Sequence, residues 1–206
     1  MSEMTVGDMS AQYMDVLKEL GNIGAGNATT ALAELLQSKV DMSVPQVKLI
    51  NFSEIGELIG GEEQVMAGIY LAIQKDITGS ILFLVKEDVA LHLVKKLMGD
   101  FAQDIHGEME QSALKEISNI ITGAYLNALS TMTGLRMEPS VPDIAIDMAG
   151  AILSVPAIEF GIMGDEMLLI QTQIFDELAI DGFFIMVPDV DSYVRILSSL
   201  GIHLYL

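Results

Sequence analysis

The chain has 206 residues, 51% of them hydrophobic, and a formal net charge of −19. This negative charge argues against nucleic acid or an anionic membrane surface as a partner, and no apolar run reaches the ~18 residues of a membrane-spanning helix. The absence of cysteine excludes disulfides and thiolate metal sites. The start, MSEMTVGDMS, lacks the basic and apolar regions of a signal peptide, so we expect a cytoplasmic protein without membrane insertion.

The first predicted element is a long helix over about residues 11–37. With about 100° of rotation per residue, Asp15, Glu19, Asn22 and Gly26 fall on one face of this helix. The opposite face carries an apolar stripe that is typical of a core contact: Leu17, Leu20, Gly24, Ala28, Ala31 and Leu35. The helix is therefore expected to present a polar face outward.

Three glycines, Gly21, Gly24 and Gly26, crowd this helix and resemble the start of a phosphate-binding GxGxxG loop. Such a loop requires a preceding strand, whereas these glycines lie inside a helical pattern, at about 1 kcal/mol each relative to alanine. A later copy of the motif keeps only the last of them. We therefore expect Gly24 to allow close packing on the core face, and Gly26, like Gly123 in the later copy, to let another backbone approach the outward face.

The first half continues with an extended segment near Pro45, two strands around residues 68–73 and 79–85, and an amphipathic helix over 87–99. The acidic segment 99–110, GDFAQDIHGEME, is the predicted joint to the second half.

The second half repeats the first. Residues 114–142 match residues 17–45 at a constant offset of 97, and weaker similarity continues to the end of both halves, about 12–100 and 109–202. The predicted helix over 108–134 again carries a polar face, formed by Ser112, Glu116, Asn119 and Gly123. An extended segment near Pro142, strands around 166–174 and 182–187, and a helix over 189–201 follow.

These elements predict an α+β fold with pseudo-twofold symmetry, in which two long helices pack on a mostly antiparallel β-sheet. Residues 1–206 are expected to form a single domain made of the two repeats. From the residues alone, the two polar faces are consistent with inherited, solvated surface or with two equivalent patches that dock a partner.

The two motifs resemble those of the CheC-type chemotaxis phosphatases, the family of CheC, CheX and FliY proteins. Its signature is Asp or Ser, three residues, Glu, two residues, Asn, twenty-two residues and Pro. The first copy fits with Asp15, Glu19, Asn22 and Pro45, and the second fits with Ser112, Glu116, Asn119 and Pro142. The similarity covers nearly the whole chain. It favours the CheC branch, because CheX proteins are shorter and FliY proteins add segments at both ends.

The resemblance implies hydrolysis of the aspartyl phosphate on the response regulator CheY. Asn22 and Asn119 would orient the attacking water, and Glu19 and Glu116 would engage the regulator's active-site lysine. The chain would need no cofactor of its own, since the regulator binds the Mg²⁺ ion. The signature prolines are expected to be structural.

The resemblance also implies a second partner, the receptor deamidase CheD, so a non-enzymatic regulator of CheD is the main alternative function. A metal-dependent hydrolase is a more distant one. The halves diverge most in residues 143–156, DIAIDMAGAILSVP. Here we expect either an ordinary buried strand with Asp147 at its edge, or a surface helix or turn where Asp147, Ala149, Gly150 and Ala151 contact CheD.

Overall fold

The computed structural model describes residues 6–99, 101–160, 166–175 and 179–201. Its helices and strands follow one another along the chain in this order: α1 (Val6–Leu36), β1 (Asp41–Asn51), α2 (Phe52–Leu58), β2 (Val65–Lys75), β3 (Gly79–Lys86), α3 (Glu87–Met98), α4 (Glu108–Thr133), β4 (Met137–Pro139), β5 (Asp143–Met148), α5 (Ala149–Phe160), β6 (Glu166–Phe175), β7 (Ala179–Pro188) and α6 (Val190–Ser199).

The described strands join one antiparallel sheet in the order β1-β6-β7-β3-β2, and β4 and β5 pair with two successive parts of the outer edge of β2. The α+β prediction of two long helices on an antiparallel sheet is confirmed. The predicted strands and closing helices are also present. The first helix begins five residues earlier than expected, at Val6.

The sheet has the same order from either end when β5 is equated with β1, β6 with β2 and β7 with β3. Its centre is the pairing of β3 with β7, where Phe83 lies opposite Phe184. The edge strand of each half pairs with the hairpin of the other half, since β1 pairs with β6 and β5 pairs with β2. This order supports the division into two repeats, which stays an interpretation of the sequence.

The helices cover both faces of the sheet. One hydrophobic cluster joins α1, α3 and α4 to the sheet residues Ile69, Leu71 and Phe184. A second cluster joins α2 and α5 to alternate residues of the same strands, including Met66 and Leu84. This alternation follows from the period of two along a strand, which sends neighbouring side chains to opposite faces.

The contact between α1 and α4 depends on Gly24. A Cβ at this position would overlap the ring of Tyr125 from α4, so only glycine lets the ring lie against the α1 backbone. Tyr125 is buried and stacks on Phe184 with ring centroids 4.5 Å apart. Burial raises the pKa of the Tyr125 hydroxyl far above its ordinary value. The expectation that Gly24 serves close packing is confirmed.

The predicted joint is held by apolar contacts. Ala102 and Ile105 are both buried in the hydrophobic cluster that joins α1, α3 and α4 to the sheet, whereas Phe101 is exposed to solvent. The joint leads directly into α4, which begins at Glu108 and ends before Gly134 in the left-handed conformation that favours glycine. None of the helices in the described part of the chain combines the length and apolar composition needed to cross a bilayer.

Candidate functional site

The outward face of α1 carries the first candidate site, which we call the α1 patch: Asp15, Glu19, Asn22 and Gly26. All four residues are exposed. The apolar stripe behind them is largely buried against the sheet and α4, which fixes the rotation of the helix about its axis. The patch runs about 16 Å along the helix, at 1.5 Å per residue.

The outward face of α4 carries the corresponding α4 patch: Ser112, Glu116, Asn119 and Gly123. The first three are exposed and Gly123 is half-buried. Leu114, Ile117 and Ile121 on the opposite face are buried in the same cluster that holds α1. The two helices therefore pack on each other and present their Glu and Asn side chains to solvent.

None of the Glu and Asn side chains of the two patches makes a hydrogen bond or an ion pair with another described residue. A carboxylate accepts hydrogen bonds and a carboxamide both donates and accepts them. The side chains of Glu19, Asn22, Glu116 and Asn119 thus keep this capacity for water or a bound molecule. This is the property required of a docking or water-positioning group.

Each patch contains one glutamate carboxylate, and only the α1 patch contains a second carboxylate. Each contains a Glu, with a lysine directly before it in the sequence, Lys18 or Lys115. The α1 patch has a second carboxylate at Asp15, where the α4 patch has the neutral Ser112. Among the described residues, no group of three or more acidic or histidine side chains is arranged to hold a metal ion.

The two signature prolines lie where pairing along an edge strand is interrupted. The register of β1 with β6 shifts between Ser43 and Gln46, and Pro45 lies in this irregularity. Pro142 lies in the gap between β4 and β5. Because proline has no N–H to donate to a neighbouring strand, both positions suit it. Neither proline belongs to the patches, and this placement agrees with the expected structural role.

The segment 143–156 combines the two expected structures. Residues up to Met148 form the edge strand β5, and the helix α5 begins at Ala149. Asp147 is exposed near the end of β5, and its Oδ1 accepts a hydrogen bond from the Met148 N–H at 2.7 Å. The expected strand is therefore present over the first part of the segment, but the expectation that it is buried is wrong: each of its residues is exposed or half-buried, because β5 lies at the edge of the sheet.

The expectation that Ala149 belongs to an exposed docking face is wrong. Ala149 is fully buried in the second hydrophobic cluster, together with Ile55 of α2 and Ile59, which follows that helix. Gly150 is half-buried, its N–H donates to the Glu62 carbonyl at 2.9 Å, and a Cβ there would lie 3.2 Å from the Glu62 Cβ. These small residues serve the packing of α5 inside the chain and leave Asp147 and Ala151 on the surface.

One exposed apolar residue beside a patch was not selected from the sequence. Ile23 follows Asn22 directly and is 36% exposed, and its counterpart Ile120 follows Asn119 and is half-buried. An isoleucine next to the polar face of a helix is the signal that could have revealed it. Both patches thus have an apolar side chain at the same flank.

The match to a known protein family falls on the two segments that carry the patches. The model of the CheC-like family matches residues 13–49 and 109–146. These segments contain the two patches, the signature prolines and most of the edge strands β1 and β5. The chain is also 39% identical over 197 residues to a protein named CheY-P phosphatase CheC from Bacillus subtilis (strain 168), with 92% of this chain and 94% of the relative covered. The chain belongs to the CheC-like family.

Solved structures share the fold at lower identity. The crystal structure of Thermotoga maritima FliY is similar with a TM-score of 0.73 and 17% identity, covering 97% of this chain and 98% of that one. The FliM middle domain from H. pylori is similar with a TM-score of 0.67 and 12% identity, covering 95% and 99%. At these identities the likeness concerns the fold alone. The CheC-like fold is thus common to proteins whose names differ.

Proposed function

We propose that this protein is a phosphatase that hydrolyses the aspartyl phosphate of the response regulator CheY. The observation that carries the proposal is the pair of exposed Glu and Asn patches within the two segments matched by the CheC-like family. It is supported by 39% identity to a relative named as a CheY-P phosphatase. The enzyme is thus a hydrolase whose substrate is another protein.

In this reaction a water molecule attacks the phosphorus atom in line with the bond to the aspartate oxygen. The phosphorus–oxygen bond to the aspartate breaks, the carboxylate is restored, and inorganic phosphate leaves with the oxygen and protons of the water. Negative charge stays spread over the phosphoryl oxygens, so a catalyst acts mainly by positioning and by stabilising this charge. A neutral amide is suited to such work.

Asn22 and Asn119 would each enter the regulator's phosphorylation site and orient the attacking water. A carboxamide can accept a hydrogen bond from the water and donate one to a phosphoryl oxygen without taking a proton. Glu19 and Glu116, one turn earlier on the same faces, would pair with the regulator's lysine and set the docking register. The regulator would supply the Mg²⁺ ion, and this chain would contribute no cofactor.

Residues 1–206 would act as one domain made of two repeats, with one active patch on each. Because the proposed substrate is an intracellular signalling protein, the activity would be cytoplasmic. The first test is the rate at which phosphate is lost from phosphorylated CheY with and without this protein. Equal rates at stoichiometric concentration would refute the phosphatase.

A second candidate function is regulation of the receptor deamidase CheD without catalysis. The observation that favours it is the exposed end of β5, where Asp147 and Met148 are accessible and where, among the described strands, β5 pairs only with β2. Asp147 would anchor CheD by its charge. A phosphate-release assay with and without CheD separates the functions: CheD binding with no acceleration of phosphate loss would favour the adaptor.

A further inference from the structure

The last glycine of each patch has no role in packing that the described residues reveal. Gly26 and Gly123 lie inside helices with ordinary negative φ angles, and a Cβ added to either would meet no described atom within 4 Å. Glycine is one of the poorest helix formers, and alanine in the same place would favour the helix. The fold alone therefore gives no reason for glycine at either position.

The other glycines of α1 provide the contrast. A Cβ at Gly24 would overlap the Tyr125 ring, and a Cβ at Gly21 would lie 3.1 Å from methyl groups of Val44 and Val47. These two glycines face neighbouring elements and are required by packing. Gly26, only two residues beyond Gly24, faces open space.

Helix geometry connects each outward glycine to the asparagine before it. Gly26 lies four residues after Asn22, and Gly123 lies four residues after Asn119, so each pair shares one face of its helix. Side chains on a helix lean toward its N-terminus and cover the preceding turn. Any side chain at position 26 or 123 would consequently lean over the asparagine and hold a partner away from it.

We propose that Gly26 and Gly123 are positioning residues at which the main chain of the docked response regulator lies against the helix. This inference rests on the proposed phosphatase function and adds a contact to it. The carboxamide of an asparagine is short, so the helix backbone must come close to the regulator before the amide can reach the acyl phosphate. A missing side chain one turn further along permits this approach at both patches.

The test is a graded pair of double variants, Gly26→Ala with Gly123→Ala and Gly26→Gln with Gly123→Gln. The matched control is Glu34→Gln with Thr131→Gln, which places the same side chain at equivalent exposed positions two turns further along each helix. Four quantities are measured: the melting temperature, the Kd for CheY carrying beryllofluoride as a phosphoryl mimic, and the kcat and KM for phosphorylated CheY.

We expect both glycine variants to melt at or above the temperature of the wild type, with the alanine variant higher by about 2–4 °C per substitution. The Kd and KM should rise about threefold with alanine and tenfold or more with glutamine, with a smaller change in kcat at saturation. The control should keep both constants within twofold of the wild type.

Two results would overturn the inference. The first is a glutamine variant whose Kd and KM stay within twofold of the wild type, and the second is a marked fall in melting temperature, which would assign the glycines to the fold. Failure of the proposed function looks different, because the wild type itself would then leave the lifetime of phosphorylated CheY unchanged.

Discussion

The α1 patch and the α4 patch carry the same residue types at three of their four positions and differ at the remaining one. Both keep Glu, Asn and Gly at the same spacing, yet the first position is Asp15 in one and Ser112 in the other. A carboxylate at the first position is therefore not a feature that the two copies share. The shared positions are those we assign to docking, water orientation and close approach.

The inner faces of the same two helices differ more strongly. At the core-facing position of α1 stands Gly24, which accepts the ring of Tyr125, and the equivalent position of α4 is Ile121. In turn Tyr125 corresponds to Ala28 in α1, so both small residues belong to α1 and both large ones to α4. The outward faces are alike while the buried faces are complementary, and four experiments test this comparison.

The largest effect is expected for Asp147→Lys, which affects only the second half. If CheD binds at the end of β5, the reversed charge should abolish binding, with a loss of at least tenfold in affinity by titration calorimetry. Dephosphorylation of CheY in the absence of CheD should be unchanged, since Asp147 lies outside both patches. Asp143→Lys is the matched control, because Asp143 is exposed on the same strand four residues away. An unchanged CheD affinity in Asp147→Lys would remove this surface from consideration.

Gly24→Ile gives α1 the residue that α4 has at the equivalent position, Ile121. The larger side chain must displace the Tyr125 ring, and overpacking of this kind costs about 1–3 kcal/mol. We expect the free energy of unfolding, measured with urea, to fall by that amount. Adding Tyr125→Ala to Gly24→Ile should recover part of it, because the two residues are in direct conflict. A Gly24→Ile variant as stable as the wild type would contradict the close contact between α1 and α4.

The single substitutions Asn22→Ala and Asn119→Ala compare the patches directly. If the patches act independently and equally, each variant should keep about half of the activity toward phosphorylated CheY. Unequal losses would rank the two patches. Loss of all activity in either single variant would contradict two independent sites.

Asp15→Ser should have the smallest effect. It gives the α1 patch the residue that the α4 patch already has, at an exposed helical position where substitutions change stability by about 0.5 kcal/mol or less. We expect activity within twofold of the wild type, measured in the Asn119→Ala background so that only the α1 patch contributes. A fivefold loss would give Asp15 a part in docking that Ser112 lacks.

The sequence predicted the helices in which apolar residues recur at a clear period. The 3.6-residue period of α1 and α4 indicated which face is buried, and the outward position of Asn22 and Asn119 follows from it. The hairpin strands were found from their apolar runs. These features depend on residues close together in the chain.

The pairing of each half's edge strand with the hairpin of the other half was not predictable from these sequence patterns. The choice between β6 and β2 as the partner of β1 depends on residues more than a hundred positions away. The helix α5 was uncertain for another reason: AGAILSVPAIEF is apolar on all sides and therefore has no clear period. Ala149 was misplaced because its burial depends on α2, which packs beside α5 on the second face of the sheet.

The most direct measurement is the rate of phosphate loss from phosphorylated CheY with the wild type and with the double variant Asn22→Ala, Asn119→Ala at equal concentration. Both side chains are exposed and make no hydrogen bond to described residues, so the double variant should melt at the temperature of the wild type. We predict that it leaves the rate of phosphate loss at the value for CheY alone, while the wild type accelerates it. A correctly folded double variant that hydrolyses phosphorylated CheY at the wild-type rate would show that the two asparagine patches do not catalyse the reaction.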